Sequence, residues 1–103
     1  MTEREIKLNY QQAIRQASRL EDIAGKLENL SSNKLSNTVG TLKQAWQSDS
    51  SPQYYNKVDK VQGDINTTAK QVRKIANSIR TTADAVRNSE MKAIEIAKTR
   101  SSH

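Results

Sequence analysis

The stretch Trp46-Gln47-Ser48-Asp49-Ser50-Ser51-Pro52-Gln53-Tyr54 holds the only Trp and the only Pro of the chain, and it divides two long segments of helical spacing. The short side chains of Asp49, Ser50 and Ser51 hydrogen-bond to nearby backbone and so compete with continuing a helix. Pro52 has no amide hydrogen to donate and disfavours helical geometry at Ser51. Proline nevertheless suits the first position of a helix, with serine before it as N-cap. The stretch therefore predicts that a first helix stops near Trp46 or Gln47. A turn then occupies about residues 48–51, and a second helix begins at about residue 52 with Ser51 as its N-cap.

On the N-terminal side, Thr2-Glu3-Arg4-Glu5 fits a capping box, with Thr2 as N-cap and Glu5 reaching back to its amide. Apolar or small residues follow at Ile6, Tyr10, Ala13, Ala17, Leu20, Ala24 and Leu27, in the steps of four and three that mark a helix packing on another helix. Ile14, Ile23 and Leu30 widen this stripe beyond a narrow two-stranded seam. Ser31, Ser32, Asn33, Ser36, Asn37, Thr38 and Gly40 are modest or poor helix formers. The pattern resumes at Leu35, Val39, Leu42 and Trp46, displaced by about one residue, a drift expected of a straight helix against a strict heptad. One helix over about residues 2–47, bent in this region, is favoured over a break at Ser32-Asn33.

The second segment is more regular. Val58, Ile65, Val72, Ile79, Val86 and Ala93 recur every seven residues, with Val61, Thr68, Ile75, Thr82, Ser89 and Ile96 as companion positions and Ala69, Ala76 and Ala83 beside the seam. A helix over about residues 52–98 is predicted, with a frayed tail over 99–103. Two such helices joined by a short loop pack antiparallel. The expected fold is all-α: one hairpin domain over residues 1–103, with Leu20, Leu27, Leu35, Leu42, Val58, Val61, Ile65, Val72, Ile75, Ile79 and Val86 packing within the hairpin or across a dimer. Only 34% of residues are hydrophobic and there is no Phe, a thin supply for a self-sufficient core. Leu35, Leu42, Ile14 and Ile23 would stay partly open on a single hairpin. A second hairpin, from another copy or a different protein, is expected to complete a four-helix bundle dimer.

The residue inventory argues against catalysis. There is no Cys, and the only His is His103, so an activated nucleophile with a neighbouring base is not available. Glu21, Asp22 and Glu28 form the densest acidic group and read as a solvated helix face rather than a metal site. Gly25, Gly40 and Gly63 are isolated, so no phosphate loop exists. No enzyme activity and no cofactor are expected. Net charge is +6, and the basic excess lies in the second half, where residues 54–103 carry ten Lys/Arg against five Asp/Glu. Arg73, Arg80 and Arg87 recur every seven residues beside Lys70 and Lys74. This stripe reads as a solubilising outer face. Without interleaved aromatic residues a nucleic-acid partner is not expected.

Trp46-Gln47-Ser48 at the tip resembles the Trp-x-Gly of the WXG family of small type VII secretion proteins, the early-secretory-antigen type, with Ser48 where the glycine stands. Tyr54 matches an aromatic residue common in that family eight positions after the Trp. The resemblance covers nearly the whole chain in length and in hairpin layout. It implies a non-enzymatic protein secreted by a bacterial type VII (ESX/Ess-like) system, or a targeting partner for its substrates, with a link to virulence. Its implied partners are a second helical hairpin as homodimer or heterodimer, a toxin with a helical N-terminal region, and the secretion ATPase with its membrane machinery. Trp46, Ser48 and Tyr54 become candidate recognition residues. The family's export signal is Tyr-x-x-x-Asp/Glu past the second helix. Tyr55-Asn56-Lys57-Val58-Asp59 has that spacing at the start of the helix, where a chance spacing would also give it.

No apolar run is long enough for a transmembrane helix. The start Met1-Thr2-Glu3-Arg4-Glu5 has no apolar h-region, so secretion from the cytoplasm without a cleaved signal peptide is expected. Two other readings remain open: a basic helical nucleic-acid-binding protein, and a subunit like those of type III secretion needles.

Overall fold

The structure, a computed structural model, describes residues 1–49 and 51–101. Ser50, inside the predicted turn, and Ser102 and His103, in the predicted tail, lie outside the described residues. The fold is the expected all-α helical hairpin, with no strand among the described residues. Helix α1 spans Glu3–Asn29, a π-helical segment spans Leu30–Leu35, α2 spans Ser36–Ala45, and α3 spans Ser51–Ser101.

The α1 start follows half of the expected capping box. The Glu5 amide donates to Thr2 Oγ1 at 3.2 Å, as an N-cap requires. The reciprocal bond differs: the Glu5 carboxylate accepts from the Thr2 hydroxyl at 3.1 Å rather than from its amide. At the other end, α3 continues through Ser101, past the expected fraying point at Lys98. Thr99 sits within that last stretch and donates its hydroxyl to the Glu95 carbonyl one turn back.

The weak region after Leu27 stays helical but changes type. Against an α-helix, a π-segment absorbs one extra residue. Counting heptad steps on from Ser31 would bring Lys34, Thr38 and Ala45 to the seam, yet all three are exposed, while Leu35, Val39 and Trp46 are half-buried. The one-residue displacement in the sequence pattern is therefore this insertion, not gradual heptad drift.

The chain forms two compact units. The first comprises residues 1–20 and 74–103. In it Ile6, Ala17 and Ala76 are buried, and Tyr10, Ala13, Leu20, Ile79 and Ala83 are half-buried. The second unit comprises residues 21–73. There Ala24, Ala69, Ser31 and Ser51 are buried, and Leu27, Leu35, Val58, Ile65 and Val72 are half-buried. Alanine at the closest approach lets two helices pack tightly but buries little area per residue.

These lists correct the second stripe of α3. Val58, Ile65, Val72 and Ile79 do pack within the chain. Their companions are Tyr55, Gln62, Ala69, Ala76 and Ala83, one position on from the predicted Val61, Thr68, Ile75 and Thr82. Val61 is 50% exposed, Ile75 55% and Val86 48%. The predicted set took the larger aliphatic residues as the inner ones. The chain instead packs its alanines inward and leaves these β-branched residues outside. Ile23 and Leu42 are exposed and Ile14 and Leu35 half-buried, so all four stay partly open as expected.

The arginine stripe also has a different place from a merely solubilising face. In the second unit, Arg73 Nε donates to Glu28 Oε1 at 2.7 Å. In the first unit, Arg80 donates to Ser18 Oγ at 3.0 Å, and the Arg87 guanidinium stacks 4.1 Å from the Tyr10 ring centroid. Tyr10 in turn donates its hydroxyl to Asp84 at 2.8 Å. Seven-residue spacing on α3 thus brings each of the three arginines onto α1.

Candidate functional site: the aromatic turn

The turn lies wholly within the second unit. At the end of α2 the Trp46 amide still donates to the Leu42 carbonyl at 2.7 Å, while Trp46 itself is extended (φ −122°, ψ 105°). That extended backbone carries the indole out of the helical path and back toward the first turn of α3. Its ring centroid lies 5.0 Å from that of Tyr54 and 6.4 Å from that of Tyr55, the latter edge-on. Aromatic pairs in these tilted and edge arrangements add about 0.5–1.5 kcal/mol each beyond area burial. Tyr55 Oη donates to the Trp46 carbonyl at 2.8 Å, satisfying one acceptor at the helix C-terminus. Lys43 Nζ sits 5.0 Å from the Tyr55 centroid and Lys57 Nζ 6.0 Å from that of Tyr54.

Two serines close the turn. The Ser51 amide donates to the Ser48 carbonyl at 3.1 Å, and the Ser48 amide donates to Ser51 Oγ at 2.8 Å. The two hydroxyls are 3.1 Å apart. Ser51 is buried and is the first residue of α3. Its side chain therefore caps backward onto Ser48, where the sequence placed it as an ordinary N-cap outside the helix. Pro52 still falls in the first helical turn, where its missing N–H has no helical partner to lose. No described non-glycine residue has a positive φ, so this turn does not need glycine at position 48.

The candidate site residues divide by exposure. Trp46 and Tyr55 are half-buried and hold the turn together. Ser48 is exposed, with its polar atoms turned onto Ser51, and Tyr54 is 53% exposed with one face against the indole. Asp59, paired with Tyr55 in the export-type spacing, is exposed on α3. The Tyr55 hydroxyl is committed to the Trp46 carbonyl, a role the sequence reading missed. Its signal was available: Tyr55 lies one heptad before Gln62 and two before Ala69 on the inner row of α3.

A family model described as WXG100, proteins of 100 residues with WXG, matches residues 5–91. The chain belongs to this family. WXG100 proteins are small and associated with type VII secretion. No curated protein and no solved structure matches the chain significantly. The matched residues include the Trp46 turn, which this chain closes with Ser48 and Ser51 bonded to each other.

No group of three or more His, Cys, Asp and Glu is placed to hold a metal ion among the described residues. Among those residues, no helix is long and apolar enough to cross a membrane.

Proposed function

We propose that this WXG100 protein is exported by a bacterial type VII system, or escorts a substrate to it, and works non-enzymatically by pairing with a second helical hairpin. The observation that carries this reading is the family match over residues 5–91 together with the aromatic turn built around Trp46. The outward aliphatic residues of α3, Val61 and Ile75 above all, support pairing, because a hairpin sufficient in itself would bury them. The partner is another copy or a different hairpin, including the helical N-terminal region of a toxin. Trp46, Ser48 and Tyr54 form the surface presented to the partner or to the secretion ATPase, and Tyr55 and Asp59 act in export only if the turn opens. Secretion proceeds from the cytoplasm.

The nucleic-acid reading is not favoured by the arginine stripe. Arg73, Arg80 and Arg87 each reach onto α1 and are already engaged there.

The test is export in the native host, followed in the culture supernatant with and without the secretion ATPase. ATPase-dependent release, or ATPase-dependent release of a co-purifying hairpin partner, supports the proposal; the absence of both would overturn it. Tyr54→Ala and Trp46→Ala separate recognition from folding. Tyr54 is more than half exposed, so Tyr54→Ala should leave melting nearly unchanged while reducing export. Removing the half-buried Trp46 should lower stability by about 3 kcal/mol, the low end for an aromatic truncated to alanine.

A further inference from the structure

The first unit carries an open apolar groove of about 570 Å³, lined on α1 by Ile6, Tyr10 and Ala13 and on α3 by Ile75, Ile79 and Val86. Ile75 and Val86 are about half exposed there, so the groove is a face without a cover. The charge of the chain is concentrated on the same unit. Residues 1–20 and 74–103 hold ten Lys/Arg against five Asp/Glu, giving +5, whereas residues 21–73 hold seven against six, giving +1. Lys74, Arg87 and Glu90 line the groove, and Arg87 also lies 3.8 Å from the Asp84 carboxylate.

We propose that this groove takes an acidic amphipathic helix from a different chain rather than a second copy of this one. The inference rests on the pairing reading above and specifies the partner's chemistry. An apolar stripe on the incoming helix would cover Ile75 and Val86, and carboxylates along its flanks would meet Lys74 and the wider basic field of the unit. A twofold pairing of identical chains places the same patch on both sides of the interface. Here that sets one +5 unit against another. Like-charge juxtaposition suppresses association, and opposite charge accelerates it and selects the partner. The field acts over a Debye length of about 10 Å at 0.1 M salt, so the preference is salt-dependent.

The test uses the purified full chain and two labelled synthetic peptides. Both are amphipathic helices with the same leucine seam, one with glutamate flanks and the other with lysine flanks. The expected result has three parts. The chain sediments as a monomer across the concentration range used for binding. The glutamate peptide binds at least about tenfold tighter than the lysine peptide, a difference of ~1.4 kcal/mol, and the gap narrows in high salt. Ile75→Asn weakens the glutamate peptide about tenfold, while circular dichroism stays unchanged because Ile75 is already exposed.

Equal binding of the two peptides would overturn the proposal, as would glutamate-peptide binding unaffected by Ile75→Asn. A dimer of the chain that Ile75→Asn dissociates would overturn it too, but would leave the pairing reading intact, with a second copy as the occupant. A monomer that binds neither peptide would overturn the proposal too and leave the pairing reading to the export experiment.

Discussion

The unit formed by residues 1–20 and 74–103 closes on alanine with its cross-helix hydrogen bonds exposed, whereas the unit of residues 21–73 brings hydrogen bonds into its buried seam. In the first, the fully buried positions are Ile6, Ala17 and Ala76, and the arginines of α3 grip α1 from the side. In the second, Ser31 and Ser51 are buried alongside Ala24 and Ala69. Ser31 Oγ donates to the Gln62 carbonyl at 3.2 Å, and Gln62 Nε2 donates back to the Ser31 carbonyl at 2.7 Å and to Ser36 Oγ at 3.0 Å. Apolar contact is non-directional and tolerates sliding. Bonds between named donors and acceptors hold one register, as a single polar residue does in a coiled-coil seam. The difference places the register-setting contacts of this hairpin near its turn and its π-segment. In the first unit the cross-helix bonds, Tyr10 to Asp84 and Arg80 to Ser18, are exposed ones beside an apolar seam.

The strongest way to break this comparison is to remove one residue from each unit. Deleting Gln16 rotates Ile6, Tyr10 and Ala13 by about 100° relative to Ala17 and takes all three off the seam. Losing a buried Ile and its neighbours should cost about 3 kcal/mol or more and melt the first unit early. Deleting Asn33 should do little. It removes the residue that the π-segment absorbs, converts the segment to α-helix and leaves Leu35, Val39 and Trp46 facing inward. A change within about 0.5–1 kcal/mol, of either sign, is expected in thermal melts. Equal damage from the two deletions would show that the π-segment is not a one-residue insertion.

Much of this hairpin can be read from the sequence. The Ser-Pro turn signal and the seven-residue rows on both sides give the helices, the place of the reversal and the inward faces of α1. The helical type over Leu30–Leu35 was visible only as a displaced pattern. A single displacement is shared by drift, a bend and an inserted residue, and only backbone hydrogen bonding separates them. The companion row of α3 was misread for a different reason. Val61 and Ile75 are more hydrophobic than Ala69 and Ala76, and hydrophobicity alone ranks them as inner. Close helix approach reverses the ranking, because it rewards a small Cβ and moves bulk outward. At the turn, Trp46 and Tyr54 stood out as rare residues. The bonds joining Ser48 to Ser51 and Tyr55 to Trp46 depend on φ and ψ at Trp46, which no pattern of residue types encodes.

A smaller effect sharpens the polar half of the comparison. Gln62→Ala removes two donated bonds and leaves the buried Ser31 side without its amide partner. Net hydrogen-bond contributions of this kind are about 0.5–1.5 kcal/mol, rising to about 1–3 when a buried group is left unsatisfied. A loss of about 1–2 kcal/mol is expected in chemical denaturation. Gln62→Leu tests register rather than energy: the leucine can recover apolar area but not direction. Amide hydrogen exchange should then become faster across residues 28–36 even where the melting temperature recovers. Unchanged exchange there would mean that packing alone fixes the register of the second unit.

The smallest effect concerns the cross-helix ion pair of the second unit, which has a titratable partner on α1 where the first unit uses the Ser18 hydroxyl and the Tyr10 ring. The Arg73 guanidinium, hydrogen-bonded to Glu28 at 2.7 Å, holds its carboxyl below the ordinary value of 4.5, and partial desolvation opposes this only in part. Glu28 correspondingly raises Arg73. A carboxyl with a lowered pKa in the folded state binds fewer protons there than in the unfolded chain. Its contribution to stability is therefore present above pH 4.5 and fades as the pH falls through the lowered folded value. Both side chains are almost half exposed, at 46% and 44%, so solvent screens the pair and the effect on melting should be slight. Arg73→Gln should bring the Glu28 pKa, followed by carboxyl NMR, back up toward 4.5. The small difference in melting temperature between wild type and variant should shrink as the solution is acidified, and added salt at neutral pH should shrink it as well. A difference that grows in acid would mean that Arg73 stabilises the hairpin through its aliphatic stem against α1 rather than through its charge.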